Sequence, residues 1–355
     1  MITKLKADQI VAKYSSFYRK EIMLNNKKVF LYSYVLKDYK AMQEEPLSRE
    51  LRGLVITSEP QEVFLSVPAF FNINEIPETQ YSNLKHQKIK KIQEKLDGSL
   101  ITPILLNGEI FCKSKASFES SQAKQAQQIV DSSTTLKYFI LDTYANNFIP
   151  FFELTGTENQ HVLDQDHPLK LTLIQVRDQE GHFIDIDKFG YPYSAKSYNI
   201  TWEELLSQQE TKKGIEGYVV KTTNGILKIK TKEFFELHSI SQESTQMKII
   251  LSRILNETLD DMLSLIKNDL QKNKIKDLND ITSEYVGHQV QLIQNIQKEG
   301  LSQKELAIKY SKHRFFNAIM QVNKGVSAKD AVIAVLSKIK KESQAKAFFD
   351  DLTKN

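Results

Sequence analysis

The sequence predicts an α+β fold, with antiparallel sheets and flanking helices over residues 1–240 and an all-α C-terminal domain over residues 241–355. Two observations carry this reading. All eight prolines and nine of the twelve glycines lie before residue 226, and after residue 240 only Gly287, Gly300 and Gly325 interrupt a proline-free stretch. The apolar pattern changes over the same interval, from short runs bounded by turn residues to helical spacing. A length of 355 residues suits two domains of ~100–200 residues each.

The elements follow in order. Residues 8–20 read as a helix and 29–35 as a strand. Two apolar runs, 54–57 and 62–67, flank a turn at Ser58-Glu59-Pro60-Gln61 and form a hairpin. A second hairpin joins 100–106 to 109–114 through Asn107-Gly108, a dipeptide suited to tight two-residue turns. Helices are expected at 118–131 and 133–146, then strands at 151–154 and 171–176. Thr201-x-x-Glu204 is a capping box that opens a helix at 202–209. Strands at 217–222 and 225–231 follow. In the last third, Met247, Ile250, Leu251, Ile254, Leu255, Leu259, Met262, Leu263 and Ile266 recur at helical spacing. Ser302-x-x-Glu305 and Ser327-x-x-Asp330 mark helix starts, and Lys338-Ile339-Lys340-Lys341 reads as a solvated helix face. No alternating pattern occurs there, so no β-barrel module is expected.

Composition excludes several classes. Apolar residues make up 41% and charged residues 26%, a globular balance. No apolar run approaches the ~18 residues of a membrane span. The first eight residues lack the apolar core of a secretory signal. Cys112 is the only cysteine, which excludes an intramolecular disulfide and a cysteine-based zinc site and points to a reducing cytoplasm. The net charge of +4 belongs wholly to residues 241–355, which hold 18 Lys and Arg against 14 Asp and Glu.

Chemistry concentrates around Lys95-Leu96-Asp97-Gly98-Ser99. A lysine on an Asp-Gly turn is expected to be exposed at a strand end, where Gly98 allows a phosphate to approach. Alone, this is an ordinary turn with a surface lysine. Its context is more informative. Ser48-Arg49-Glu50-Leu51-Arg52-Gly53 and Phe70-Phe71-Asn72 lie upstream, and Lys113-Ser114-Lys115 lies on the return strand of the hairpin. Phe152-Glu153, Glu216-Gly217-Tyr218-Val219-Val220 and Leu227-Lys228-Ile229-Lys230 then follow in strands.

Together these motifs resemble the covalent nucleotidyltransferase superfamily of ATP-dependent ligases and mRNA capping enzymes, and their spacing resembles the phage RNA ligase 1 family. The resemblance covers roughly residues 30–240. It implies a nucleotidyltransferase (ATP-grasp-like ligase) domain, with the helical tail specifying the RNA substrate. It also implies an ATP-dependent joining of 5′-phosphate to 3′-hydroxyl RNA ends. Lys95 would carry AMP, and the adenylate would then pass to the RNA. One departure is Ala69, where several relatives carry lysine before the Phe-Phe pair.

The residues fit such chemistry on their own terms. A lysine amine attacks a phosphate only when neutral, and neighbouring cations favour that form. Lys228 and Lys230 alternate along a strand, so both face one side and place charge at the α-phosphate. Glu216 is the expected ligand of Mg2+, for which Mn2+ could substitute. The resemblance gives Glu153 the ribose hydroxyls. Arg52 and Lys115 are read as phosphate contacts, Phe71 as the stacking aromatic, and Gly98 as part of the nucleotide cradle.

The expected partner is RNA with a broken end, tRNA or single-stranded, together with an end-healing kinase-phosphatase. The expected state is a monomer in the cytoplasm, the host's if the chain is phage-encoded. The alternatives are an inactive nucleotide- or RNA-binding module, a DNA ligase and a GTP-using capping enzyme. Asp164-Gln165-Asp166-His167 reads as a polar surface loop, and Asp185-Ile186-Asp187 as a solvated edge strand.

Overall fold

The computed structural model describes residues 2–159, 163, 165–237, 246–266 and 269–353. The chain divides into two units. One comprises Met1–Ala7, Arg19–Ser33 and Leu47–Ile240, and the other Asp8–Tyr18, Tyr34–Pro46 and Ser241–Asn355. The boundary expected at residue 240 lies outside the described residues, as does Asp164.

The strands, in chain order, are β1 (Phe17–Leu24), β2 (Lys27–Tyr34), β3 (Leu54–Thr57), β4 (Val63–Phe64), β5 (Phe71–Asn72), β6 (Ile89–Lys95) and β7 (Ser99–Leu106). They continue as β8 (Glu109–Lys113), β9 (Phe148–Thr155), β10 (Lys170–Asp178), β11 (Phe183–Ile184), β12 (Ser197–Tyr198), β13 (Gly217–Thr222) and β14 (Ile226–Lys230). Three sheets result, in the orders β1-β2-β3-β4, β11-β10-β9-β7-β8 and β12-β6-β13-β14-β5. Among the described residues these strand pairings are antiparallel, except that of β14 with β5.

Alternation assigns each sheet two unlike faces. In the sheet of β7 to β11, Ile101, Phe152, Leu154, Leu171, Leu173 and Val176 join one core. Ala126 and Val130 of helix Ser121–Ser132, and Leu136 and Ile140 of helix Thr134–Ala145, fill it. The opposite face carries Glu153, whose register partners are Leu100 and Thr172. In the sheet containing β6, Ile92, Tyr218, Val220, Leu227 and Ile229 pack with Trp202 and Leu205. The intervening positions, Gln93, Lys95, Lys228 and Lys230, therefore face the other way. The Asn107-Gly108 turn closes β7–β8 with both residues at positive φ, 53° and 80°. Thr201 and Glu204 form the expected capping box.

Several elements differ from the sequence reading. The helix expected at 8–20 is Lys4–Lys13, because residues 17–24 pair with β2 instead. The strand expected at 62–67 is confined to Val63–Phe64. The strand β6 was not anticipated. Asp185 and Asp187 are not on a solvated strand: Asp185 caps a 3-10 helix, Ile186–Phe189, and both carboxylates pair with Lys91. Lys338 to Lys341 lie in the connection between helices Ala328–Leu336 and Glu342–Thr353.

The second unit contains no strand in the described part of the last third. Its longest helix is Asp269–Lys298. The Asp280 carboxylate of that helix accepts from the backbone N–H groups of Tyr39 (2.8 Å) and Lys40 (2.9 Å), at the start of helix Tyr39–Glu44. Asn279 and Ser283 both donate to the Lys37 carbonyl, and Ser16 donates to Asp38, the N-cap of the same short helix. Ser302 and Glu305 form a capping box, and Ser327 caps its helix as expected.

Candidate active site

Lys95 is the last residue of β6, and β7 begins at Ser99. The turn between them lies against β9. A Cβ on Gly98 would meet the Leu154 carbonyl oxygen at 2.4 Å and Glu153 Cγ at 3.0 Å, so only glycine permits that approach. The Asp97 carboxylate accepts from the Leu163 N–H at 2.8 Å, and its carbonyl accepts from Gln165. These bonds tie the turn to the loop after β9.

The register of β13 gathers the charged groups. Gly217 pairs with Lys95 on one side and with Lys230 on the other. Glu216 precedes it, 4% exposed. Lys95 Nζ donates to Glu216 Oε2 at 2.7 Å, and Lys230 Nζ lies 3.1 Å from Glu216 Oε1. One buried carboxylate thus holds two ammonium groups. Burial alone would raise the Glu216 carboxyl, but Lys95 and Lys230 outweigh it and hold the group below the usual carboxylate range. Lys95 is not the exposed turn lysine the sequence suggested: its side chain is 21% exposed because the carboxylate draws it in.

Glu153 belongs to the same cluster but responds in the opposite sense. Burial pushes its carboxyl up to about 7. Lys95 and Arg52 oppose the rise, and Glu216 and Asp97 add to it. Two carboxylates in one site thus have divergent proton affinities, an arrangement frequent at functional sites.

Arg52 follows a 3-10 helix, Pro46–Leu51, and donates to the Val67 carbonyl at 3.4 Å. The bend before it is fixed by Arg177, whose guanidinium makes two 2.8 Å bonds to the Glu50 carboxylate and a third to the Ser66 carbonyl. A bidentate pair of this kind fixes orientation as well as distance. Lys115 lies just past β8, with its carbonyl against Gly53. Lys228 shares the cleft-facing side of β14 with Lys230, and its Nζ lies 6.0 Å from the centroid of the Phe70 ring. Phe71 pairs with Leu227, a core residue, and is buried beneath the Arg49 guanidinium. The aromatic ring beside Lys228 is therefore Phe70.

The sequence reading missed Lys113. It is fully buried, and its amine donates to the Ser114 carbonyl at 3.2 Å beside the Gly53 backbone. Burial, aided by Arg52, pushes the amine down to about 7. Lys113-Ser114-Lys115 gave no sign of this, because lysines at a strand end normally reach solvent.

Glu153 and Glu216 offer only oxygen donors, which suits a hard divalent cation. Among the described residues, one cluster of three metal-type side chains falls within 4.8 Å, Asp178, Glu180 and His182. It sits at the β10–β11 turn, where His182 bonds Asp178, and does not include the Lys95 cluster.

This cluster of lysines and carboxylates between paired strands has the charge to meet phosphate groups. The chain belongs to the RNA ligase family, whose model matches residues 50–240. A protein of Thermovibrio ammonificans assigned as an RNA ligase is 28% identical over 264 residues, 67% of either chain. A protein of Autographa californica nuclear polyhedrosis virus, assigned as a bifunctional polynucleotide kinase/RNA ligase, is 25% identical over 252 residues. That match covers 63% of this chain and 35% of the viral protein. A solved archaeal ATP-dependent RNA ligase (form 2) superposes with a TM-score of 0.47 at 14% identity, covering 82% of this chain and 79% of that one. Among the described residues, no helix is long and apolar enough to cross a membrane.

Proposed function

We propose that this RNA ligase is ATP-dependent and joins 5′-phosphate to 3′-hydroxyl RNA ends through a lysyl-AMP on Lys95. The observation that supports it most is the bonding of one strand-end lysine, Lys95, to a buried Glu216 that also holds Lys230. In the first step, the Lys95 ammonium gives up a proton to solvent, and the neutral amine attacks the α-phosphorus of ATP. A P–N bond forms as the bond to pyrophosphate breaks. A 5′-phosphate oxygen of the RNA then displaces Lys95 and takes the adenylyl group. Last, the 3′-hydroxyl attacks the 5′-phosphorus, and AMP leaves.

Lys228 and Lys230 stabilise charge on the transferring phosphate. Arg52 and Lys115 contact phosphates, Gly98 gives them room, and Glu153 accepts from the ribose hydroxyls. Phe70 is the ring that meets the base. A divalent cation, Mg2+ or Mn2+, bound at Glu216 would supply further positive charge to the phosphates.

The helical domain, residues 241–355, holds the RNA, tRNA or another single-stranded species. A kinase-phosphatase prepares the ends; the viral relative's assigned name joins a polynucleotide kinase to an RNA ligase. The protein acts as a cytoplasmic monomer.

The test is adenylylation. The protein is stripped with pyrophosphate, incubated with α-labelled ATP or GTP and Mg2+, and run on a denaturing gel beside Lys95→Ala. Label from ATP that is lost in the variant is the expected result. Label from GTP would indicate a capping enzyme, and no label would leave a binding module.

A further inference from the structure

The segment leading into β6 carries an unusual charge. Lys85-His86-Gln87-Lys88-Ile89-Lys90-Lys91 holds four lysines and no acidic residue. It borders an open groove of about 600 Å3 along the β12–β6 edge. Ile89, Tyr198 and Ile200 supply apolar surface, and Lys85 and Lys90 supply charge. The Tyr198 hydroxyl donates to Glu94 at 3.1 Å, and Lys196 lies 5.2 Å over its ring. Lys91 is neutralised by Asp185 and Asp187. Lys85, Lys88 and Lys90 are exposed, and none makes an ion pair among the described residues. Glu203 is the one carboxylate lining the groove.

We propose that this groove is a docking surface for the single-stranded RNA substrate, with Lys85 and Lys90 of its lining and the flanking Lys88 and Lys196 on its phosphates and Tyr198 beneath its bases. The inference rests on the ligase reading for its direction. Exposed lysines beside a tyrosine ring and polar side chains are the complement of a single strand, which presents charge on one side and base faces on the other. The groove lies on the strand that ends at Lys95. The groove is on the side that packs Trp202, whereas Lys95 faces the other way, so an RNA seated here passes the β12 edge to reach the site.

The test uses the full chain and the triple variant Lys85→Ala/Lys88→Ala/Lys90→Ala. Fluorescence anisotropy follows binding of a 5′-phosphorylated RNA of about 20 nucleotides across a salt series. At ~0.7 per phosphate contact on a single strand, the slope of log K against log salt should fall in magnitude by about 2. Sealing of this RNA should slow at least tenfold, sealing of a substrate of about four nucleotides should not change, and adenylylation should match wild type. An unchanged slope with unchanged preference for the long substrate overturns the proposal. So does an unchanged slope with lost binding to polyglutamate, which would make the groove a protein site. A wild-type chain that takes no label from ATP overturns the ligase reading instead, and the salt slope still decides the groove.

Discussion

Replacing Glu153 with Gln should stabilise the fold at alkaline pH. The carboxyl is raised from 4.5 in the unfolded chain to about 7 in the folded one, chiefly by burial. Between those values the folded state binds more protons, so the stability this group allows is full below 4.5 and is lost as pH rises through 7. The difference corresponds to about 3 kcal/mol at ~1.4 kcal/mol per pKa unit. Gln has nearly the same shape and no charge to desolvate. Urea unfolding at pH 8 should therefore show Glu153→Gln more stable than wild type by about 3 kcal/mol, with the gap closing near pH 4.5. Adenylylation should fall in the same variant, because an acceptor for the ribose is lost. A variant no more stable at pH 8 than at pH 5, relative to wild type, would refute the reasoning. It would mean that Glu153 is ionised and well paired.

Other substitutions test the site's construction. Gly98→Ala drives a Cβ into the Leu154 carbonyl, which is backbone and cannot swing aside, so stability should fall by about 1–3 kcal/mol and adenylylation by about a hundredfold. Glu216→Gln leaves Lys95 and Lys230 without their shared counter-charge and should cost about 3 kcal/mol at pH 7. Because the folded Glu216 carboxyl lies below its unfolded value of 4.5, that cost is full above 4.5 and should fade in urea titrations as pH drops through the folded value. Lys113→Met removes a buried amine whose proton affinity falls from 10.5 to about 7. The wild-type penalty grows as pH falls through that range, so thermal shifts should show the variant stabilised by up to about 5 kcal/mol at pH 6, and by much less above pH 10.

The legible parts of the fold were those with local causes. Asn107-Gly108 made the β7–β8 hairpin readable, and Thr201 with Glu204 set a helix start, because turn and cap chemistry act within four residues. β6 was not readable for a different reason. Its cleft-facing positions are Lys91, Gln93 and Lys95, and its core-facing side includes Glu94, so hydrophobic alternation is nearly absent. β1 depends on β2 for its identity, which no local pattern reports. At the site, residue types and their alternation placed Lys228 and Lys230 on one face. The Lys95–Glu216 bond spans 121 residues and follows only from the pairing of β6 with β13. Lys113 stayed hidden because its burial is set by the Arg52–Gly53 bend above it, and Phe70 because a two-residue strand decides which ring turns outward.

The bonds from Asp280 to Tyr39 and Lys40, and from Ser16 to Asp38, bear on how this helical tail can be inherited. The partners of Asp280 lie 241 and 240 positions away in the chain. A single genetic crossover downstream of residue 237 would bring in a foreign tail and strand the short helix at Tyr39–Glu44 without its acceptor. A portable cassette would need the segments Asp8–Tyr18 and Tyr34–Pro46 as well. Recombination in this lineage should therefore keep these two segments and the helical tail together and vary what lies between them.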